Sequence, residues 1–454
     1  MLEVRDATML SDSLVAGGSP WRLLHLGAGA RSSLALWRAG APLEARDGHL
    51  ARDLVDRGLV HPRWRPDWDR DVVDVIVPVR ENAEALGRLL ARLGDYSVTV
   101  VDDGSLDEAE VARCAQRYGA RLVRLDQNRG PGGARNAGAA VTTRPWLWFI
   151  DADVVLDDAA ALGARILSSG ADPRVAAIAP RVRGAGGSRG RDRFERNHGP
   201  LDLGVAGGLV VAQTTRGYLP SACLLVRRDA FGDGFDEALR VGEDVDLVWR
   251  LTDAGWLVRY DADLVVGHNA RATWSSWWRQ RYGYGSSAAA LAARHRSRLA
   301  PIVVGEPSAW ALSGALVGQP LLVAAGVLTL VRQIRQRLPA NVERTRGLVG
   351  SLITRATIGA GGPIARGLVR TYGPLVLAAA LARRTRRRAL LLFALGTLWR
   401  WRDRGPFDVR DVPLALADDL AYALGVWRGA WQSRDATAVT PLIRARSAPR
   451  TARR

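Results

Sequence analysis

Branched apolar runs alternate with helical or glycine-rich stretches between residues 71 and 151, and this alternation is the strongest constraint on the fold. Runs separated by about 20 to 25 residues of helical pattern are typical of βαβ units with parallel strands. The sequence therefore predicts an α/β domain with a Rossmann-like, mostly parallel sheet. The four runs are DVVDVIVPV (71–79), SVTVVDD (97–103), ARLVRL (120–125) and WLWFID (146–151).

Acidic residues follow three of these predicted strands. Glu81 comes after the first strand, Asp102 and Asp103 end the second, and Asp151 and Asp153 follow the fourth. Ligands of such sheets bind beyond the carboxyl ends of the strands. We therefore expect these carboxylates to lie along one edge of the sheet.

Grouped carboxylates repel one another unless a positive charge neutralises them. Mg²⁺ and Mn²⁺ accept one or two protein carboxylates and fill their remaining positions with water and diphosphate oxygens. The DAD sequence at 151–153 thus predicts a divalent metal that binds a nucleotide diphosphate and stabilises it as a leaving group. A D-x-D pair without further context is also typical of a solvated loop or a helix N-cap.

Five segments in this order resemble the family 2 glycosyltransferases, which have the GT-A nucleotide-diphospho-sugar transferase fold. They lie within residues 72–270 and read VIVPVRENAEALGRLLARL, VVDDGSLDE, NRGPGGARNAGAA, FIDADVVLDD and GEDVDLVWRLTDAGW. Two further segments, RGYLPSACLLVRR and VGHNARATWSSWWRQRYGYG, resemble the mycofactocin-system glycosyltransferases of actinobacteria. The resemblance implies an inverting, metal-dependent transfer of glucose from UDP-glucose to mycofactocin or its peptide precursor, repeated into a β-linked oligoglucose chain.

The resemblance also assigns the donor site. Asp103 would accept a hydrogen bond from the uracil imide, and the Arg80 guanidinium would stack on the base where the family often has an aromatic ring. Arg135, in the glycine-rich loop, would contact base or phosphate, although such a loop is equally typical of an ordinary turn into a helix. The remaining predicted nucleotide-sugar contacts are Pro78, Val79, Glu81, Asp102, Asp151 and Ala152.

Metal and catalytic roles follow in the same way. Asp151 and Asp153 would bind Mn²⁺ or Mg²⁺, with Asp153 as the more direct ligand and His268 as the third. Asp244 matches the family's catalytic base, and Glu243 would orient the acceptor or the sugar. Acidic residues also suit an ordinary helix N-terminus. A nucleotide-binding protein without activity would be expected to lack Asp151, Asp153 or Asp244.

The flanking regions predict two further domains around a catalytic domain at 71–290. Residues 1–70 resemble small winged-helix-like peptide-binding domains, and a cap on the catalytic domain is the alternative. Segment 273–287 places aromatic residues beside arginine, which favours stacking on an acceptor sugar, although a core or membrane-interface role suits them equally. The predicted acceptor contacts are Trp277, Trp278, Arg281 and Tyr282.

The C-terminal region, 291–454, is predicted to be helical and Arg-rich. Residues 1–270 hold 34 arginines and 38 acidic residues, whereas 271–454 hold 30 arginines and 8 acidic residues. Residues 309–331 carry no charge and are long enough to span a bilayer. Arginine on both flanks instead favours helices that pack on the catalytic domain or lie on an anionic membrane surface.

The sequence also bears on the expected partners, the cellular location and one alternative function. No nucleic-acid recognition module is present, so nucleic acid is not an expected partner. Cys114 and Cys223 give no disulfide framework, and the N-terminal residues do not form a signal peptide, so we expect a cytoplasmic protein, peripheral on or anchored to the inner face of the plasma membrane. The alternative function is a membrane-associated polysaccharide or glycolipid glycosyltransferase that uses another UDP-hexose.

Overall fold

A computed structural model describes most of the chain as two compact units. One unit comprises Met1–Ser11 and Val15–Trp274, and the other Asp12–Leu14 and Ser275–Arg454. The described residues are 2–4, 7–10, 13–18, 22–62, 69–187, 189–214, 216–271, 273–337, 346–401 and 407–444.

The N-terminal residues form their own small hydrophobic core. Leu34 and Trp37 on one helix pack with Leu54 and Val55 on the next. The region contains two helices and short strands, and both its predicted winged-helix-like fold and its predicted peptide-binding role stay predictions. The elements are β1 (Leu2–Glu3), β2 (Ala7–Met9), β3 (Leu14–Gly17), β4 (Arg22–His25), α1 (Ala28–Arg38), α2 (Gly48–Asp56) and β5 (His61–Pro62).

The catalytic region is built on one large sheet. Nine described strands form it in the order β10-β14-β11-β13-β9-β6-β7-β8, and β12 pairs with β14. The elements are β6 (Val73–Val79), α3 (Ala83–Leu93), β7 (Ser97–Asp102), α4 (Glu108–Arg117), β8 (Arg121–Arg124), α5 (Gly130–Ala140), β9 (Trp146–Ile150), β10 (Val154–Val155), α6 (Ala159–Ser169), β11 (Val175–Gly184), α7 (Gly190–His198), β12 (Gly208–Leu209), β13 (Cys223–Arg227), α8 (Arg228–Phe231), α9 (Glu243–Asp253) and β14 (Leu257–His268).

The predicted parallel β/α order is confirmed. Strand β6 pairs in parallel with β7 and β9, and β7 pairs in parallel with β8. Strand β13 differs, because it lies antiparallel between β9 and β11. The parallel strands end at the same edge, and the acidic residues that follow them lie there.

Local sequence explains how the helices pack on this sheet. The Asn82 side chain caps α3 by accepting from the backbone N–H of Ala85 at 3.3 Å. Leu86, Leu89 and Leu93 then recur with helical spacing and are buried against the sheet. Every side chain of β9 is buried, so Asp151 stands at the first position beyond a fully apolar strand.

The second unit is mainly helical, as predicted. Residue 290, where the sequence pattern ended the catalytic domain, lies within its first helix. The elements are α10 (Trp274–His295), β15 (Val303–Gly305), α11 (Glu306–Val317), α12 (Pro320–Arg337), α13 (Arg346–Leu381), α14 (Arg386–Trp399), α15 (Val412–Ser433) and β16 (Leu442–Arg444).

Two adjacent aspartates on α15 form the centre of a buried ion-pair network in this unit. Asp418 accepts from Arg281 at 3.1 Å and from Arg400, while Asp419 binds Arg366 and lies 3.0 Å from Arg400. Burial alone would raise the pKa of Asp418, but Arg400, Arg370 and Arg281 hold that pKa below its ordinary value. The network therefore stabilises the fold only while both carboxylates are ionised.

We expect Asp418→Asn to destabilise the second unit by about 3 to 5 kcal/mol at neutral pH, because it leaves buried arginine charge uncompensated. The pKa of Asp418 is lower in the folded protein than in the unfolded chain, where an aspartate has a pKa of about 3.9. Its ionised carboxylate therefore stabilises the fold fully above about pH 3.9, and this stabilisation is lost as the pH falls below that value. The variant's deficit in thermal midpoint should therefore shrink below about pH 4. Asp408→Asn, whose partner Arg410 is exposed, is the matched control. An unchanged midpoint in Asp418→Asn would contradict the role of the network.

Candidate active site

The three predicted metal ligands lie together at the sheet edge. Strand β10 pairs antiparallel with β14 so that Val154 lies opposite His268, which places Asp153 beside the imidazole. His268 Nε2 is 3.2 Å from Asp153 Oδ1. One ligand atom from each of Asp151, Asp153 and His268 falls within 4.8 Å of the others. Two carboxylates and an imidazole at this separation fit a divalent cation.

Asp153 and His268 also influence each other electrostatically. Burial alone would raise the pKa of Asp153, but the hydrogen bond and charge of His268, helped by Arg271, lower it. Burial alone would lower the pKa of His268, but Asp153 and then Asp151 raise it above its ordinary value. Each of these two side chains therefore favours the charged form of the other.

Arg135 bridges the metal-ligand side and the catalytic side of the site. Its guanidinium donates from Nη2 to Asp151 at 2.6 Å and from Nη1 to Glu243 at 2.8 Å. The side chain is only 3% exposed and lies 5.4 Å from the centre of the Phe235 ring. This bridge gives Arg135 a positioning role, and its predicted contact with base or phosphate stays a prediction.

The predicted catalytic acids begin helix α9. Gly242 precedes them with a φ of 87°, a left-handed conformation that glycine adopts without strain. Asp244 accepts from the backbone N–H of Ser221 at 3.1 Å and from that of Val245 at 2.8 Å. Burial raises the pKa of Asp244, and burial together with the charge of Asp244 raises the pKa of Glu243 to about 7. Both acids are therefore stronger proton acceptors than exposed carboxylates.

The two aspartates that end the second strand have different partners. Asp102 is buried, accepts from the Ser105 backbone at 3.0 Å and binds Arg124. Asp103 accepts from the backbone N–H groups of Arg129 at 2.7 Å and Gly130 at 2.9 Å, at the start of α5. Burial raises the pKa of Asp103 against these hydrogen bonds. The nucleotide contacts of both residues stay predictions.

The other predicted base-pocket residues follow β6. Pro78 and Val79 are the last two residues of the strand, and Arg80 is exposed just beyond it. Glu81 has a φ of 56° and accepts from the Leu106 backbone at 2.8 Å, which fixes the turn. Ala152, the remaining predicted contact, is buried between the two metal-side aspartates.

The predicted acceptor residues lie on α10 of the second unit, and two of them are interior. Trp277 is fully buried, and Arg281 binds Asp418 with its guanidinium 4.8 Å from the Trp277 ring centre. Burial leaves these two side chains no surface for an acceptor, so the prediction is corrected for them. Trp278 and Tyr282 are half-buried, and their acceptor role stays a prediction.

Three functional-site residues were missed by sequence reasoning. Ser221 orients Asp244 through its backbone, which no side-chain pattern reveals. Arg271 lies 3.8 Å from Asp153, three positions after His268. The charge of Arg240 lowers the pKa of Asp103, and the sequence does not predict this because the two residues are far apart along the chain.

The chain is similar to known glycosyltransferases over almost its whole length. Residues 74–235 match the model of the glycosyl transferase family 2. The chain is 35% identical to the pre-mycofactocin glycosyltransferase of Mycobacterium tuberculosis over 97% of both chains. The chain belongs to the family 2 glycosyltransferases. The predicted resemblance to the mycofactocin-system members of that family is also confirmed.

Other relatives of this glycosyltransferase are more distant. It is 30% identical to the N-acetylglucosaminyl-diphospho-decaprenol L-rhamnosyltransferase of M. tuberculosis, over 59% of this chain and 98% of that protein. Among solved structures, the mannosyltransferase PcManGT of Pyrobaculum calidifontis, in complex with GDP-Man and Mn²⁺, is 16% identical with a TM-score of 0.39. That likeness covers 83% of this chain and 99% of the mannosyltransferase. The sheet topology and the family match identify the predicted GT-A fold.

We expect Arg135→Lys and Arg135→Gln to lower this glycosyltransferase's turnover by about a hundredfold, because a shift of about 1 Å in a reacting group has that effect. Lysine keeps the charge but cannot bridge Asp151 and Glu243 with a planar fork. Donor affinity by calorimetry and initial transfer rates would measure the effect. Arg174→Gln, which breaks an ion pair with Asp172, is the control. Normal turnover in Arg135→Gln would rule out the bridging role.

Proposed function

We propose that the protein transfers glucose from UDP-glucose to a hydroxyl of a peptide-derived, mycofactocin-type acceptor, with inversion at the sugar. Repeated transfer would build a β-linked oligoglucose chain. The main support is that three candidate metal ligands lie together at the edge of a GT-A sheet, and that Arg135 links one of them, Asp151, to Glu243, the neighbour of Asp244 in sequence. The 35% identity to a pre-mycofactocin glycosyltransferase over 97% of both chains supports the acceptor class.

The metal site is assigned to Asp151, Asp153 and His268. A bound cation would offset the charge of the diphosphate and stabilise UDP as it leaves. The imidazole favours Mn²⁺ over Mg²⁺, because Mg²⁺ prefers an all-oxygen shell. Deprotonated His268 and ionised Asp153 are the forms that bind a metal, so binding would release the proton that their mutual interaction favours.

Asp244 is assigned as the general base. Inversion needs a carboxylate that removes the proton from the acceptor hydroxyl as that oxygen attacks the sugar carbon from the face opposite UDP. The backbone N–H groups of Ser221 and Val245 fix the orientation of this carboxylate, and its raised pKa makes it a better proton acceptor. Glu243, held by Arg135, would orient the acceptor or the sugar.

The uracil site is assigned to the turn after β6 and to Asp103. Each oxygen of Asp103 accepts one backbone N–H, and a carboxylate oxygen can accept a second hydrogen bond, here from the uracil imide. Arg80 is exposed directly after β6, and its guanidinium would stack on the base.

Transfer to a lipid-linked glycan from another UDP-hexose is the second candidate. Its support is the similarity to the decaprenol-linked rhamnosyltransferase, which extends over 59% of this chain. The lower identity and coverage of that relative make the mycofactocin-type acceptor the stronger proposal.

A panel of nucleotide sugars tests the reaction. Purified protein with Mn²⁺ should transfer glucose from UDP-glucose to a tyrosine-derived lactam and leave the other donors largely unused. Asp244→Asn should bind UDP-glucose normally but lose transfer by at least about a hundredfold, because general-base removal typically costs 10²- to 10⁴-fold. Transfer only from another donor would refute glucose, and full turnover in Asp244→Asn would refute the base.

Metal dependence is tested separately. Chelation should abolish transfer, and Mn²⁺ should restore it. His268→Ala should weaken Mn²⁺ binding at least about tenfold, since changing even a residue that only hydrogen-bonds to a metal ligand costs roughly 10- to 100-fold in metal affinity. His49→Ala, an exposed histidine on α2, is the control. Unchanged Mn²⁺ affinity in His268→Ala, measured by calorimetry, would remove this residue from the site.

A further inference from the structure

Helix α14 exposes leucines and buries small or polar residues, whereas an amphipathic helix of a soluble protein does the reverse. Its fully buried residues are small or polar, namely Ala389, Gly396 and Thr397. Its outward side carries leucines at positions 391, 395 and 398, which have the i, i+4, i+7 spacing of one helix face. These leucines are half or more exposed. Soluble proteins normally bury this stripe rather than expose it.

Glycine contacts explain the inward side. A methyl group at Gly396 would lie 2.4 Å from the Ala365 carbonyl oxygen on α13, so only glycine permits this helix contact. Helices α11 and α12 pack in the same manner, because a methyl group at Gly326 would lie 2.5 Å from the Pro307 carbonyl oxygen. Close packing through small residues, with leucine facing outwards, is typical of helices that contact lipid.

The turns of the two helix pairs, α11–α12 and α13–α14, lie next to each other. A methyl group at Gly318, in the first turn, would be 2.5 Å from an Arg388 guanidinium nitrogen at the second. Around these turns lies one surface, here called the hairpin surface, which combines exposed apolar side chains with arginines. Its apolar members are Val317, Leu321, Leu322, Leu381, Leu390 and Leu391, and its exposed arginines include Arg383, Arg384 and Arg387.

The charge of this region is almost entirely of one sign. Residues 307–402 contain 15 arginines and a single acidic residue, Glu343. Leu321 and Leu381 are 81% and 80% exposed, immediately beside the turns. Leucines that can enter the acyl boundary, bordered by arginines that can bind phosphate headgroups, are complementary to an anionic bilayer surface.

We propose that the hairpin surface docks this glycosyltransferase on an anionic phospholipid bilayer, with its leucines inserted and no described helix spanning the membrane. Helices α11 and α14 have 12 and 14 residues, fewer than the roughly 20 that a span needs. Ile364–Leu381 is the described segment long and apolar enough to cross. It contains Arg366 and Arg370, which ion-pair with Asp418 and Asp419 inside the unit.

Vesicle co-sedimentation of the full-length protein tests this docking. The protein should bind vesicles of phosphatidylcholine with phosphatidylglycerol, bind pure phosphatidylcholine vesicles much more weakly, and be released by high salt. The triple change Arg383→Gln, Arg384→Gln and Arg387→Gln should weaken binding by at least about tenfold. The pair Leu390→Gln and Leu391→Gln should do the same by removing inserted apolar area.

Matched changes separate docking from misfolding. Leu36→Gln with Leu43→Gln alters two exposed leucines of the first unit and should leave vesicle binding unchanged. All variants should keep the wild-type circular dichroism spectrum and UDP-glucose hydrolysis, and the vesicle measurement itself requires no activity. Equal binding to both vesicle types, binding unaffected by the arginine or leucine changes, or association resistant to alkaline extraction would overturn the proposal. So would self-association in solution that the leucine changes abolish.

Discussion

The active site depends on one buried guanidinium surrounded by acids. Asp151, Glu243 and Asp244 lie together here: burial raises the pKa of both Glu243 and Asp244, the charge of Asp244 further raises that of Glu243, and the charge of Asp151 raises that of Asp244. Arg135 binds two of them directly, so it offsets the repulsion and fixes their positions. Its own pKa is raised by these carboxylates although burial alone would lower it. A proposed catalytic residue and a proposed metal ligand can therefore lie within one compact site.

The direction of each strand in the sheet determines which acidic residues lie close together. Strands β6, β7 and β9 are parallel, so the residues after each strand reach the same edge. The antiparallel strand β13 and the parallel strand β14 add what these three strands lack. The chain entering β13 provides the Ser221 backbone to Asp244, and the end of β14 brings His268 to Asp153. The site thus combines the proposed nucleotide-binding half with a half that supplies the proposed base and the proposed third metal ligand.

Charge has a different role in each unit. In the first unit, the buried Arg135 pairs with two carboxylates of the candidate active site. In the second unit, Asp418 and Asp419 neutralise arginines between helices. Interior ion pairs and glycine contacts leave leucines such as Leu321, Leu381 and Leu391 on the outside. The same physical rule, that buried charge must be paired, therefore gives a reactive site in one unit and an apolar exterior in the other.

The sequence alone determined the four strands β6 to β9, their parallel direction and the acids that follow β6, β7 and β9, because hydrophobic period and spacing are local properties. It also predicted His268 as the third metal ligand, since a recognisable segment surrounds it. Tertiary structure alone decided that Arg135 bridges Asp151 and Glu243 and that Trp277 and Arg281 are interior. Arg135 and its partner Glu243 are more than 100 positions apart in the chain, and so are Arg281 and its partner Asp418. A side chain's partner at such a separation is fixed by the packing of whole elements, which local sequence does not encode.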